Sequence, residues 1–266
     1  QKILTSYMAK DDIKDNFSSW DWQYYSEKRR QNEHELNELE IKPYFSLDQM
    51  IKAAFYCANK LFDLSFVPID LPLYHNDCKA WEVFRKNKTI GLFIGDYFAR
   101  PSKRSGAWCS AFQSQAKFPT VQKPIVLNVC NFAKSSPALL SFDDAQTLFH
   151  EFGHALHQLL SNVTYEPMSG TSVSRDFVEL PSQLFEHWLT VPDVLKKFAL
   201  HYETKIPISD ELIERIKGAS NYDMGYQTVE YTSSALVDFY FHLSDTDHDI
   251  MKLQTEILSQ IEMPKT

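Results

Sequence analysis

The sequence predicts a mainly α fold with a small β-sheet, and three observations carry that prediction. Residues 1–65 and 134–266 are rich in helix-forming stretches with capping signals. Residues 66–133 switch to short β-branched and aromatic runs separated by turn-like segments, the pattern of a small sheet region. Within the second helical region, TLFHEFGHALHQLL at 147–160 sets two histidines at His-Glu-x-x-His spacing, which only a helix brings together.

Taken in order, SSWDWQYYSEKRRQNEHELNELE (18–40) is polar and helix-prone and stops near Lys42-Pro43. A second helix is expected from Ser46, an N-cap residue with Gln49 at the capping-box position. TIGLFIGDYFAR, GAWCSAF and KPIVLNVCNF follow as strands of a three- or four-stranded sheet, divided by PSKRSG and AKFPTVQKP. Because proline cannot donate to a ladder, Pro124 assigns the last run to an edge strand. After Pro137 helices are expected at SFDDAQTLFHEFGHALHQLLS, FVELPSQLFEHWL, DELIERIKGAS, TVEYTSSALVDFYFHL and DIMKLQTEILSQIE.

At 266 residues and 44% hydrophobic content the chain buries a sizeable core, as one large domain or two small ones. A net charge of −8 repels phosphate backbones and anionic lipid, so neither nucleic acid nor a membrane surface is an expected partner. No apolar run approaches the roughly 18 residues that span a bilayer, and QKILTSYMAKDD lacks the pattern of a signal peptide. Cys57, Cys78, Cys109 and Cys130 form no CxxC pair and read as reduced, buried thiols of a cytoplasmic protein. With seven glycines and no GxGxxG or P-loop, the usual nucleotide signatures are missing.

Ser141 and Asp144 supply a capping box, which puts the motif deep inside its helix. At 100° per residue Leu148, Phe152, Ala155, Leu156 and Leu159 cluster on one side, and His150, His154 and His157 fall opposite. Residues four apart have Cβ atoms about 5–6 Å apart, so His150 and His154 can share an ion. His157 lies about 10 Å along the axis from His150 and reads as an orienting or substrate-facing group. Glu151, one step round, suits a general base on a metal-activated water. The plain alternative is a solvated helix whose polar face is rich in histidine.

A catalytic zinc takes three protein ligands. The extended motif with a third histidine on the same segment is excluded, since His157 replaces its glycine and Leu160 its last histidine. SNVTYEPMSGTSVSRD is turn-rich and allows a second helix to return, in which Glu179, Gln183 and Glu186 form a polar stripe between apolar positions. Glu179 is flanked by apolar residues, so an inward carboxylate there needs a cation. Glu186 and Glu166 are the rival ligands.

With His150-Glu151-Phe152-Gly153-His154 followed by Glu179 in DFVELPSQ, the sequence resembles the thimet-oligopeptidase family of zinc metallopeptidases. DWQYYSEKRR, KPYFSLDQMI, LFDLSF, DYFARPSKRSGAW, NVCNF, SGTSVSRDFVELPSQLFEHW and YQTVEYTSSALVD extend the likeness over roughly residues 18–264. NVCNF and the EHW after PSQ look like its bacterial peptidyl-dipeptidase branch. The resemblance implies a zincin-like catalytic domain holding one zinc ion per chain through His150, His154 and Glu179, with Glu151 as base and then acid. It implies short peptides as substrates and release of C-terminal dipeptides in the cytoplasm. The alternatives are a broader endo-acting oligopeptidase of the same family, or a zinc- or peptide-binding module without catalysis.

Against that family the chain reads as a partial catalytic domain, 1–266, without the long helical N-terminal half or the later Gly-rich loop that bears oxyanion donors, so weak or no turnover is expected of it. Four further expectations follow. The PIVLNVCNF edge is a platform for an extended peptide, and Asp176 and Gln183 orient the ligands. The turn Ser169-Gly170-Thr171 approaches the site, and Tyr222, Tyr226 and Tyr231 are either oxyanion donors or core.

Overall fold

The computed structural model describes residues 2–11, 13, 16–34, 37–219, 222–243, 249–261 and 263. It divides into two compact units, residues 38–213 and residues 1–37 with 214–266. In chain order the helices before the sheet are α1 (Lys2–Lys10), α2 (Asp21–His34), α3 (Glu38–Ile41) and α4 (Leu47–Phe62). The strands are β1 (Leu64–Ile69), β2 (Lys79–Arg85), β3 (Lys88–Phe98), β4 (Trp108–Gln113) and β5 (Ile125–Phe132). Then come α5 (Phe142–Leu159), α6 (Arg175–Val178), α7 (Leu180–Glu186), α8 (Pro192–Phe198), α9 (Asp210–Ala219), α10 (Met224–Leu243) and α11 (Ile250–Gln260).

The unit formed from both chain ends is helical. Leu4, Met8, Phe17 and Tyr25 form a small apolar cluster, and Trp22 stacks on Tyr226 with ring centroids 3.7 Å apart. Trp22 Nε1 and Ser26 Oγ both donate to Asp223 Oδ2, at 2.7 and 2.8 Å, and Tyr222 Oη donates to Ser26 O. Tyr222 and Tyr226 are therefore engaged in packing, while Tyr231 is exposed.

The central unit is built on a five-stranded sheet of order β1-β2-β3-β5-β4, against the three or four strands that the sequence suggests. All neighbours are antiparallel except β3 and β5, which run parallel. The strands beyond the three runs named from the sequence are β1, LSFVPI, and β2, KAWEVFR, and Pro68 is tolerated because β1 is an edge strand. The expectation that the Pro124 run forms an edge is overturned: β5 is paired on both sides, and β4 is the edge. Pro124 stands just before the first strand residue, so its missing N–H removes nothing from the ladder, and its carbonyl accepts from Leu92 N at 3.0 Å.

One face of the sheet carries Phe66, Trp81 and Phe93, which meet Phe55 of α4 and Phe152 of α5 in an aromatic cluster with centroids 4.0–6.1 Å apart. The other face buries Cys78, Ala80, Ile94, Leu127 and Val129 under Ile69, Leu71 and Leu73. Gly91 of β3 lets α5 close on the sheet, since a Cβ there would stand 2.6 Å from Pro124 O and 3.2 Å from Leu159 Cδ2. At α5 the expected capping box forms, Asp144 N donating to Ser141 Oγ at 2.9 Å and Ser141 N to Asp144 Oδ2 at 3.0 Å. At α4 it does not: Ser46 is the N-cap by position but makes no side-chain cap bond. All four cysteines are free, three of them buried, and burial pushes the Cys57 thiol up to about 11.

A buried ion cluster anchors the connection from β3 to β4. Asp96, 1% exposed, accepts two bonds from the Arg100 guanidinium at 2.7 and 2.6 Å and one from Tyr74 Oη at 2.9 Å. Lys103 Nζ donates to Asp96 Oδ1 at 3.2 Å and to the carbonyls of Asp96, Phe98 and Cys130. Burial raises the Asp96 carboxyl, but the bonds from Arg100, Tyr74 and Lys103 outweigh it and hold it down at about 2. A depressed carboxyl stabilises the fold above its unfolded value near 4 and loses that contribution as pH falls towards 2. Asp96→Asn is expected to cost roughly 2–3 kcal/mol at pH 7 in urea unfolding, with the deficit shrinking between about pH 4 and 2. A deficit that stays constant across that range would contradict this role.

Candidate metal centre

The centre is assembled by one helix, one close approach and one break. α5 is buried on most of its sides, including Glu151, Gly153 and His154, so it is a core helix rather than a solvated amphipathic one. The close approach occurs at Gly153: a Cβ there would lie 2.6 Å from Ser182 Cα, 2.8 Å from Pro181 O and 3.0 Å from Phe185 Cβ. Only a residue without a side chain lets the α7 backbone run this close to α5.

The returning segment is not the single helix that the sequence suggests. α6 ends at Val178 and α7 begins at Leu180 with Pro181 in its first turn, leaving Glu179 at the junction with φ −84° and ψ −11°. Ser182 Oγ donates to Glu179 O and Oε2, each at 2.9 Å, which fixes the carboxylate.

Glu179 Oε2 then sits 3.2 Å from His150 Nε2 and 3.0 Å from His154 Nε2. One donor atom from each residue lies within 4.8 Å of the others, and among the described residues this is the one such cluster. His150 Nδ1 faces Glu186 Oε1 at 2.6 Å, and Gln146 Nε2 donates to Glu186 Oε2 at 2.6 Å. A carboxylate at Nδ1 fixes the proton on that nitrogen, so Nε2 presents its lone pair to the Glu179 oxygen. Two acceptors held face to face require a proton or a cation between them. Tetrahedral zinc with bonds near 2.0–2.1 Å spaces its donors about 3.3 Å apart. The two imidazoles and carboxylate therefore fit such an ion in both spacing and donor type.

Glu151 is 6% exposed and its Oε2 has no hydrogen-bond partner. Burial drives its carboxyl up to about 7, His150 opposing and Glu179 adding to the rise. The hydrogen bond to Glu186 raises His150 against the effect of its burial, whereas burial lowers His154 and His157. A His154 kept neutral by burial suits cation binding, and the buried unpartnered carboxyl oxygen of Glu151 is an available proton acceptor.

Some expectations are corrected. The Glu179 side chain is half-exposed, so its place follows from the helix break and Ser182 rather than from a buried charge seeking compensation. Glu186 touches the outer nitrogen of His150 and Glu166 lies outside the cluster, so neither joins Glu179 as a donor. Among the described residues the side chains that orient the cluster are Glu186 and Ser182, not Asp176 or Gln183. His157 stands apart, lining an apolar groove of about 740 Å³ with Leu160, Met168, Leu180 and Leu184. The Ser169–Thr171 turn packs against Gln158, and Gly170, at φ +56°, donates to Ser161 Oγ. Sequence reasoning missed Gly153 and Ser182; a glycine inside a strong helix pattern was the available signal.

A His-Glu-x-x-His helix joined by a carboxylate from the next helix is an arrangement used by zinc metallopeptidases. The sequence profile described as Peptidase family M3 matches residues 1–263, and the chain belongs to that family. It is 41% identical over 256 residues to the dipeptidyl carboxypeptidase of Escherichia coli K12, covering 92% of this chain and 37% of that protein. The Salmonella typhimurium dipeptidyl carboxypeptidase is 42% identical over 231 residues, covering 85% of this chain and 34% of the relative. Escherichia coli oligopeptidase A is 34% identical over 236 residues, covering 86% and 35%. The chain thus spans little more than a third of the length of these relatives.

If Gly153 sets the spacing, Gly153→Ala pushes α7 outwards. The variant is expected to lose about 1–3 kcal/mol in urea unfolding and to bind zinc at least tenfold more weakly by chelator competition. Wild-type affinity in this variant would contradict the role given to Gly153.

Proposed function

We propose that this chain is the zinc-binding part of a peptidase that releases C-terminal dipeptides from short peptides. The observation that carries the reading is Glu179 Oε2 set between the two imidazoles, with Glu151 buried and unpartnered alongside. His150, His154 and Glu179 would hold one zinc ion. Zinc, when bound, supplies a Lewis acid for the scissile carbonyl and lowers the pKa of a coordinated water. Glu151 accepts the proton of the attacking water and returns it to the leaving amine, while Glu186 keeps His150 in the tautomer that presents Nε2.

The peptide platform assigned from sequence to β5 passes to β4, whose outer edge has no strand partner among the described residues. Main-chain pairing along that edge accepts any sequence, as a peptidase of broad range needs. Free thiols fit a reducing, cytoplasmic setting, and no helix among the described residues is long and apolar enough to cross a membrane.

Dipeptide release is preferred on the 41% identity to a protein named dipeptidyl carboxypeptidase. The second reading, endo-acting cleavage, draws on the 34% identity to oligopeptidase A over much the same share of the chain.

Elemental analysis of the purified chain is expected to give one zinc per molecule. In the full-length protein Glu151→Gln is expected to keep that zinc and lose about 10²-fold or more of peptide cleavage. Undiminished cleavage would remove Glu151 from the role of base, and a chain that takes up no zinc would remove the reading itself.

A further inference from the structure

The loop between β3 and β4, residues 99–107, is held more firmly than an exposed connection requires. Arg100 and Lys103 are committed to Asp96 beneath it. From β5, Asn131 Nδ2 donates to Arg104 O at 2.7 Å and to Gly106 O at 2.6 Å. Gly106, at φ +86°, makes the turn that feeds the chain into β4. With the other two cations of the loop engaged, Arg104 is left exposed, and its guanidinium has no partner among the described residues.

The direction of β4 says what that cation faces. Its register with β5, Trp108 opposite Val129 and Cys109 opposite Asn128, runs the strand away from the loop. Cys109 lies beside α5, where Gln158 Nε2 donates to its sulfur at 3.1 Å, one turn beyond His154. A peptide pairing antiparallel to the open edge, the commoner and slightly more stable arrangement, points its C-terminus back towards Trp108 and the loop. The brace from Asn131 puts Arg104 O three strand positions beyond Asn128, about 10 Å from the level of Cys109. With the scissile bond placed level with Cys109, two extended residues beyond it cover about 7 Å of that, and the rest is within reach of an arginine side chain. The chain carries a net charge of −8, so a free carboxylate is held only where a local cation outweighs the general repulsion.

Resting on the dipeptide-release reading, we infer that Arg104 binds the C-terminal carboxylate of the substrate and thereby fixes cleavage two residues from the end. The planar guanidinium takes a carboxylate through two parallel hydrogen bonds, and the braced loop supplies it ready-placed. Were the peptide to pair parallel to β4, its carboxylate would instead fall at the other end of the strand, by the polar cavity of about 220 Å³ that Ser114, Ser169 and Thr171 help line.

The test uses the zinc-loaded full-length protein and one N-blocked tetrapeptide, offered as the free acid and as the C-terminal amide. Wild type is expected to prefer the acid. Arg104→Ala is expected to lower kcat/KM on the acid roughly 10–100-fold, through KM, and to leave the amide unchanged, with partial recovery in Arg104→Lys. Because Arg104 is exposed, the thermal midpoint should not move. An Arg104→Ala enzyme that keeps the acid preference, or loses activity equally on both peptides, overturns the assignment of Arg104 alone. A wild-type enzyme that cleaves acid and amide equally overturns the dipeptide-release reading, and the assignment with it.

Discussion

The approach of the α7 backbone to Gly153 is the constraint on which the centre depends. Two histidines on one helix supply two donors, and the third must come from a segment that is distant in sequence and adjacent in space. Pro181 O and Ser182 Cα stand less than 3 Å from where a side chain at Gly153 would begin. Because Ser182 also holds the Glu179 carboxylate, the glycine that admits the helix and the serine that aims the ligand act at one contact. A core helix carrying a glycine at its centre forgoes about 1 kcal/mol of helix propensity, and here the packing it permits offsets that cost.

Charge is arranged around this contact in layers. Glu186 sits on the outer nitrogen of His150, Glu179 between the inner nitrogens of both histidines, and Glu151 is buried alongside, where burial first and the Glu151 charge second raise the Cys109 and Cys130 thiols. Glu179 adds to the rise of the Glu151 carboxyl, and a divalent cation at the donor cluster relieves that repulsion. The sheet adds rigidity on the opposite side. The buried cluster of Asp96, Arg100 and Lys103 holds the approach to β4, whose open edge lies in the same compact unit, residues 38–213, as the metal-binding helix.

Much of this was legible in the sequence, for physical reasons. Helix period and the Ser141 capping signal located α5, and i, i+4 spacing paired His150 with His154. Glu179 stood out as a candidate, but for the wrong reason: its half-exposed side chain owes its place to backbone geometry that burial arguments do not see. Pro124 misdirected the strand order, because a proline one position outside a ladder reads in sequence like one inside it. The role of Gly153 carries no local signal of its own, since it depends on α7, which lies about thirty residues away. Tertiary partners of this kind leave no local pattern.

The most direct test of the account is X-ray absorption at the zinc edge on the purified, zinc-loaded chain. A four-coordinate ion is expected, with two imidazole nitrogens near 2.0–2.1 Å, one carboxylate oxygen and one solvent oxygen. Sulfur in the first shell, a third imidazole or a second carboxylate from the protein would contradict it.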